Sequence, residues 1–431
     1  MRGDINFAKN IDWITICFYV GFVLFGWLNI YAAVYDPTLH MSPFNPASRS
    51  GQQLIWIGLS AFVILLILIV DYKFYSSFAY VIYGAIIFLL IVTYIVAPDI
   101  KGSRSWLVLG SIRLQPAEFA KFATALALAK YLGGIGVRFI QSRTQLICAI
   151  LLGVPAAIIL LQNETGSMLV FSAFILVFYR EGLSPYILLL GIFSIVLFVL
   201  TLLLDKYYLA SGLAVLGILT SGFILLGLRK KNIRRKPIIQ KALGVFGACI
   251  ISIVIVFSVN FFVTDVLQPH QQARIKSLIN PGADIKGIGW NLYQSKVAIG
   301  SGALTGKGFL QGTQTKFDFV PEQSTDFIFC TIGEEYGWIG SSLFIIAYVV
   351  FLVRLISLAE RQKDKFARIY GYGVASIYFF HFMVNIGMTI GIFPIIGIPL
   401  PFFSYGGSSL LGFTLLLFVF LKLDAHRKQL L

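Results

Sequence analysis

Apolar runs of roughly 18 to 22 residues recur from one end of the chain to the other, each long enough to cross a bilayer as an α-helix. Twelve spans are predicted, near 12–34, 54–71, 78–97, 116–133, 145–162, 165–180, 185–204, 208–228 and 242–263, then three starting at Asp326, near 369 and near 403. The pattern predicts an all-α polytopic integral membrane protein, because a β-barrel would show short alternating segments instead. The longest polar stretch, 264–325, reads as one large loop, and 101–115 as a short loop too polar to span. Pro116 is favourable at the first position of the fourth helix. Thr325 is placed to cap the tenth, which would put Asp326 in its first turn at the membrane–water boundary. The first apolar run is long and is followed by no small-residue cleavage site, so it is expected to stay as an anchor.

Charge orients these spans. Only 12% of the 431 residues are charged, about half of what a soluble chain carries, and net charge is +15. With the N-terminus inside, Arg138, Arg143, Arg180, the basic run Arg229 to Lys236, the stretch Arg354 to Arg368, and Arg427 with Lys428 all fall on the cytoplasmic side. The loops 34–53, 98–115, 264–325 and 392–402 then face outward, and Asp326 with them. That asymmetry is the positive-inside pattern of a cytoplasmic membrane protein with both termini inside, and it argues against a nucleic-acid partner. No inverted repeat is visible, and residues 1–431 read as one membrane domain. The four cysteines, Cys17, Cys148, Cys249 and Cys330, lack paired spacing and read as core residues; the four histidines are scattered, which argues against a His-built metal site.

Four constellations could carry chemistry. Glu118 and Lys121, three apart, share a helical face; an ion at membrane depth costs about 2.5–3.5 kcal/mol, so the two form either a structural pair or the wall of a polar cavity. Arg104 and Arg113 on the outer loop suit a diphosphate, or simply snorkel. Gly300–Gly312 is like a phosphate-cradling loop in composition only. Asp326 lies near Glu322, Glu334 and Glu335; on one continuous helix Asp326, Cys330 and Glu334 would share a face, with Glu334 about 12 Å deeper. The helix dipole alone would favour a carboxylate at that start. Asn385 and the Pro-rich segment 394–409 are expected to line the same outward cavity as the large loop, since irregular backbone at that depth needs protein or water against it.

Together these pieces resemble the SEDS family (shape, elongation, division and sporulation), which includes RodA and FtsW. The resemblance covers most of the chain and rests on GSRSW (102–106), QPAEFAK (115–121), QSKVAIGSGALTGKG (294–308), VPEQSTDFIF (320–329), GEEYGWIG (333–340), NIGM (385–388) and GIPLPFFSYGGSS (397–409). Gly312-Thr313-Gln314 is more similar to the RodA branch. The resemblance implies a peptidoglycan glycosyltransferase that polymerises lipid II outside the cytoplasmic membrane during elongation and releases undecaprenyl diphosphate. It implies a class B penicillin-binding protein as partner, among other elongation-complex membrane proteins. The family's essential aspartate falls on Asp326, its tryptophan and arginine on Trp106 and Arg104, and its glutamate–lysine pair on Glu118 and Lys121. Gln294, Lys307 and Ser404, inside matching motifs, join as candidate substrate contacts. Family members typically have ten spans, so 205–263 looks like an inserted hairpin. The chain departs from the family at Glu164, where Gln-Pro-Asp is usual before the sixth span, at Ser324, where His is common, and at Ala303, where Gly is usual.

The chemistry implied is displacement of a lipid diphosphate from an anomeric carbon by a sugar hydroxyl, with one inversion. It needs one base, and a diphosphate leaves without protonation if cations hold its charge. Asp326 is expected to be that base, with Arg104, Lys121 and Lys307 near the diphosphate. Asp326 could instead hold a divalent cation, Mg2+ or Mn2+, bridging to it. The alternatives are an FtsW-like division role and a lipid II flippase. A flippase needs a polar path to the cytoplasm, whereas the polar motifs here cluster on the outer side.

Overall fold

The computed structural model describes residues 10–35, 42–100, 102–110, 112–226, 235–266, 272, 288–314 and 320–427. The chain forms two compact units, one made of Met1–Leu183 with Trp290–Leu431 and one of Ser184–Gly289.

The first unit opens with α1 (Trp13–Ala33), whose N-cap Asp12 accepts from the Thr15 amide at 3.1 Å. Next come α2 (Arg49–Ile69), capped by Ser48, the short α3 (Tyr72–Ser77) and α4 (Ala79–Val96). A two-stranded antiparallel hairpin, β1 (Leu107–Leu109) with β2 (Ile112–Leu114), occupies the stretch expected to be plain loop. Pro116 does open α5 (Pro116–Leu132). Then follow α6 (Ser142–Leu161), α7 (Thr165–Val170) and α8 (Phe174–Arg180), the last two separated by a 3-10 turn at Phe171–Ala173.

The second unit holds α9 (Pro185–Leu203), α10 (Lys206–Leu226) and α11 (Arg235–Phe261). Small residues bring α10 and α11 together: Gly217 lies so close to Cys249 that a Cβ there would sit 2.7 Å from its Sγ. Of the basic run between them, Arg229, Lys230, Lys231 and Arg234 lie outside the described residues; Arg235 and Lys236 open α11.

The first unit resumes with α12 (Ile288–Ser301), a helix of 14 residues inside the stretch expected to be one large loop, 264–325. Its apolar positions are too few for a span, which is why hydropathy alone passes over it. The remaining helices are α13 (Ile328–Glu360), kinked at Gly337, then α14 (Lys365–Ile390) and α15 (Gly407–Ala425). α13 starts two residues later than expected. Its N-cap is Phe327, with no side-chain bond, while the Thr325 hydroxyl turns back to the Glu322 carbonyl at 3.1 Å. Thr325 therefore does not cap the helix, and Asp326 sits on the turn before it rather than on one face with Cys330 and Glu334.

Among the described residues ten helices are long and apolar enough to cross a membrane. The other two expected spans are present as the 17-residue α5 and the broken segment Thr165–Arg180. The core lies at the centre of the first unit. In α15, 94% of the apolar window is buried and in α14 78%, against 17% in α2. α5 packs against both central helices and is buried along nearly its whole length. That central place explains how a helix bearing Glu118 and Lys121 belongs to a membrane bundle: both charges are buried against protein, while Lys130, in the last turn, is exposed. The four cysteines are free; Cys148 and Cys330 are buried, but Cys17, expected in the core, is exposed on the outside of α1.

Candidate functional site

Asp326 is half-buried at the end of a turn that runs from Pro321 to Phe327. Side chains from several helices fix that turn. Asn385 of α14 donates to the Asp326 carbonyl at 2.8 Å and to the Ile398 carbonyl at 2.8 Å. The Ser404 hydroxyl donates to the Thr325 carbonyl at 2.6 Å and accepts from the Leu400 amide at 2.8 Å. The Tyr405 amide donates to the Ser324 carbonyl at 2.8 Å, and Gln323 reaches back to the Ala33 carbonyl at 2.6 Å. The carboxylate itself lies over Gly397: a Cβ there would sit 3.3 Å from Asp326 Oδ2, and φ of +74° at Gly397 suits glycine. Residues 397–405 and the Asp326 turn are thus one assembly. Phe403, 4.5 Å from Phe344 and 5.3 Å from Phe25 between ring centroids, anchors it in the core.

Cations gather at this end. Arg49, the first residue of α2, is exposed and donates to the Ser324 hydroxyl at 2.5 Å, two residues from Asp326. Its guanidinium lies 6.0 Å from the centre of the Tyr405 ring. Burial pushes the Tyr405 phenol above its ordinary range, while the positive charges of Arg49 and Arg113 oppose that rise. Arg113 is exposed, and its carbonyl accepts from the hydroxyl of Ser408, three residues on from Tyr405, at 3.2 Å. Arg49 escapes a reading of hydropathy because the apolar run of its helix begins five residues later. The signal it leaves is a Ser48 N-cap directly before it.

Arg104 is exposed and Trp106 half-buried on the loop that leads into β1. Glu164 holds that loop: its Oε1 accepts from the hydroxyls of Ser103 at 2.9 Å and Ser105 at 2.6 Å. The Arg104 amide adds a bond to the Gln162 carbonyl at 3.1 Å. The longer carboxylate at 164 has a defined task, tying the loop to the α6–α7 turn.

Two candidate cations are turned inward. Lys121 is fully buried, 2.8 Å from Glu118 Oε2 and 2.9 Å from His381 Nε2, with its ammonium 4.9 Å from the centre of the Phe413 ring. It is not presented to a ligand outside the protein. Lys307 binds the buried Glu334 at 2.7 Å. The same Glu334 oxygen accepts from the amides of Thr313 at 2.7 Å and Gln314 at 2.8 Å. The glycines before them are not a phosphate cradle. Residues 302–308 lie flat on the kink of α13, with the Lys307 amide on the Glu334 carbonyl at 3.0 Å and the Gly308 amide on that of Glu335 at 2.9 Å. A Cβ at Gly302 would fall 2.0 Å from the Gly333 carbonyl oxygen and one at Gly306 2.1 Å from that of Glu335. Gln294 is buried on α12, whose neighbouring Ser295 donates to the Thr389 carbonyl at 3.0 Å. Ser404, equally buried, holds backbone on both sides, so its place is in the support of Asp326.

The opposite end of α13 is laced by ion pairs. Arg354 binds Asp12, Arg361 binds Asp424, Arg180 binds Glu360 at 2.9 Å, and Arg368 binds Glu181 at 2.9 Å. Burial would raise the Asp12 carboxyl, but hydrogen bonds from Arg354 and Thr15 outweigh it and hold the group below its ordinary range.

This arrangement has relatives. The chain is 30% identical over 427 residues to the peptidoglycan glycosyltransferase RodA of Treponema pallidum, covering 94% of this chain and 95% of that one. It is 31% identical over 359 residues to the peptidoglycan glycosyltransferase MrdB of Escherichia coli K12, covering 83% and 80%. A solved chain from a peptidoglycan synthase complex, described as coordinating polymerisation and crosslinking, superposes with a TM-score of 0.69 at 25% identity, covering 97% of this chain and 99% of that one. A family model for FtsW, RodA and SpoVE, described as cell cycle proteins, matches residues 12–215 and 239–429, and the chain therefore belongs to that family.

Proposed function

We propose that this protein is a peptidoglycan glycosyltransferase of the cytoplasmic membrane that polymerises lipid II during cell elongation. One observation carries the reading: the Asp326 carboxylate is set on a braced turn beside exposed arginines. That is the inventory of an inverting transfer from a lipid diphosphate. The Asp326 carboxylate takes the proton of the acceptor hydroxyl as its oxygen bonds to the anomeric carbon. The bond from that carbon to the diphosphate oxygen breaks, and undecaprenyl diphosphate leaves as an anion. Arg49 and Arg113 hold its charge, with Arg104 on the neighbouring loop. This assignment replaces Lys121 and Lys307, whose ammonium groups are engaged by buried glutamates.

Among the described residues no group of three or more His, Cys, Asp or Glu side chains is placed to hold a metal ion. Asp326 would be the residue to hold a Mg2+ or Mn2+ bridging to the diphosphate, and no step above passes through one. Sidedness follows from charge. The arginine-rich end of α13 is the cytoplasmic one, with both termini, and the Asp326 end faces out. The partner is a class B penicillin-binding protein, with further elongation-complex membrane proteins; the likeness to a chain of a synthase complex supports this. The family match is interrupted at 216–238, inside the segment 205–263 that we read as an inserted hairpin of a single membrane domain, and resumes before that segment ends.

The test is lipid II polymerisation by the purified protein with its penicillin-binding partner, the transpeptidase serine of the latter blocked. Glycan strands from the native protein and none from folded, partner-bound Asp326→Asn are expected. Equal strands from both would make Asp326 structural. No strands from either, with labelled lipid II moved across vesicles, would make the protein a flippase.

A further inference from the structure

The four histidines read from sequence as scattered and without a shared role, yet one of them is central. α14 presents His381 and Asn385 one turn apart on the same face, and both are fully buried. They reach the same short backbone segment. Asn385 joins the Ile398 carbonyl to that of Asp326, as described above. His381 is 3.0 Å from the next carbonyl, that of Pro399, through Nδ1, and 2.9 Å from Lys121 through Nε2. The chemistry assigns the tautomer. A carbonyl only accepts, so Nδ1 carries the proton, and Nε2 offers its lone pair to the ammonium. Lys121 is held in turn by Glu118 at 2.8 Å. A continuous line of hydrogen bonds therefore runs from Glu118 on α5 through Lys121 and His381 to Pro399. Two residues earlier on the same segment, Gly397 lies under the Asp326 carboxylate.

We propose that His381 is a positioning residue for glycosyl transfer: it couples the buried Glu118–Lys121 pair to the 397–399 backbone against which the Asp326 carboxylate is set. The proposal rests on the reading of Asp326 as the base. Its logic is geometric. His381 touches neither substrate nor Asp326; it fixes where the floor beneath that carboxylate lies. A displacement of about 1 Å at a reacting group can cost on the order of a hundredfold in rate. A histidine that only filled core volume would have no such effect on the chemical step.

The test uses the full-length protein with its penicillin-binding partner in lipid nanodiscs, and reads kcat and KM for lipid II per folded molecule. His381→Phe keeps a ring but removes both bonds; kcat should fall on the order of tenfold to a hundredfold, with KM held within about twofold. His381→Gln, which can still accept from Lys121 and donate to Pro399, should recover most of the rate. If His381→Phe does not fold, His381→Asn takes its place, reaching Pro399 but not Lys121, and kcat should fall with it. Full kcat per folded molecule in whichever variant folds overturns the proposal. So does a loss confined to KM, or a glutamine variant no better than phenylalanine. Asp326→Asn, run beside them, separates the two readings. If it is inactive while His381→Phe is fully active, only the positioning role falls; if it is fully active, the base assignment fails and this proposal with it.

Discussion

Asn385 offers the sharpest test of how Asp326 is held, because one side-chain nitrogen serves two carbonyls. Its Nδ2 donates to Asp326 and to Ile398, each at 2.8 Å, from a fully buried position. Both neighbours are acceptors, so the amide nitrogen must face them. Asn385→Ala removes both bonds and leaves two buried carbonyls without that donor. Each bond contributes about 0.5–1.5 kcal/mol net, and each carbonyl left unsatisfied costs about 1–3 kcal/mol. A loss of about 2–4 kcal/mol follows after partial relaxation. Only part of it falls on global stability; the rest frees the Asp326 turn, and each 1.4 kcal/mol withdrawn from the transition state is about tenfold in kcat. Asn385→Asp is the more severe change although it preserves shape. As an anion it would face two carbonyl oxygens, and as a neutral acid its one proton can serve only one of them. The order of both thermal stability and kcat should be Asn above Ala above Asp. Unfolding of the purified protein, followed by intrinsic fluorescence, and polymerisation of lipid II measure the two. An aspartate variant equal to the native protein in both would refute the brace as described.

Other perturbations separate the remaining parts. Glu334→Gln keeps the size of a buried side chain that gathers Lys307 and the amides of Thr313 and Gln314. Hydrogen exchange over 302–314 should speed by at least about tenfold, since losing one partner of a buried pair costs about 3–5 kcal/mol. Arg49→Ala should raise KM for lipid II by about tenfold and flatten its dependence on salt, as expected for loss of a charge-assisted contact to diphosphate. Unchanged kinetics would remove Arg49 from the site. Asp12→Asn should lower thermal stability at neutral pH. The Asp12 carboxyl is held below its ordinary range in the folded state, so its contribution is present above the unfolded-state value and disappears as pH falls through the lowered one. The gap between native and variant should therefore close in acid, and a gap constant with pH would show that Arg354 does not act through the charge of Asp12.

What the sequence made legible divides along physical lines. Bilayer thickness imposes a length and an apolarity on every spanning helix, so the spans and the all-α class could be read directly. The same constraint explains the errors. α12 is too polar to register as a span, and a three-residue strand pair between Leu107 and Leu114 lies below the length at which alternation can be recognised. Thr325 followed by a polar residue and an apolar run has the grammar of an N-cap. Yet the Thr325 carbonyl is taken by Ser404 from 79 residues away, which holds the chain in a turn and delays the helix to Ile328. The site follows the same rule. Local pattern marked Asp326, Glu118 and Lys121, because an ion beside or within an apolar run demands a reason. It could not say that Lys121 faces His381, 260 residues distant, or that Gly302 and Gly306 are small in order to lie against Gly333 and Glu335. A charge in an apolar run announces that a partner exists; which partner it is, and so whether the charge is left for a substrate, is decided by tertiary contacts. That is why the cations assigned to the diphosphate moved from Lys121 and Lys307 to the exposed arginines at 49 and 113, while the carboxylate assigned as base stayed where the sequence put it.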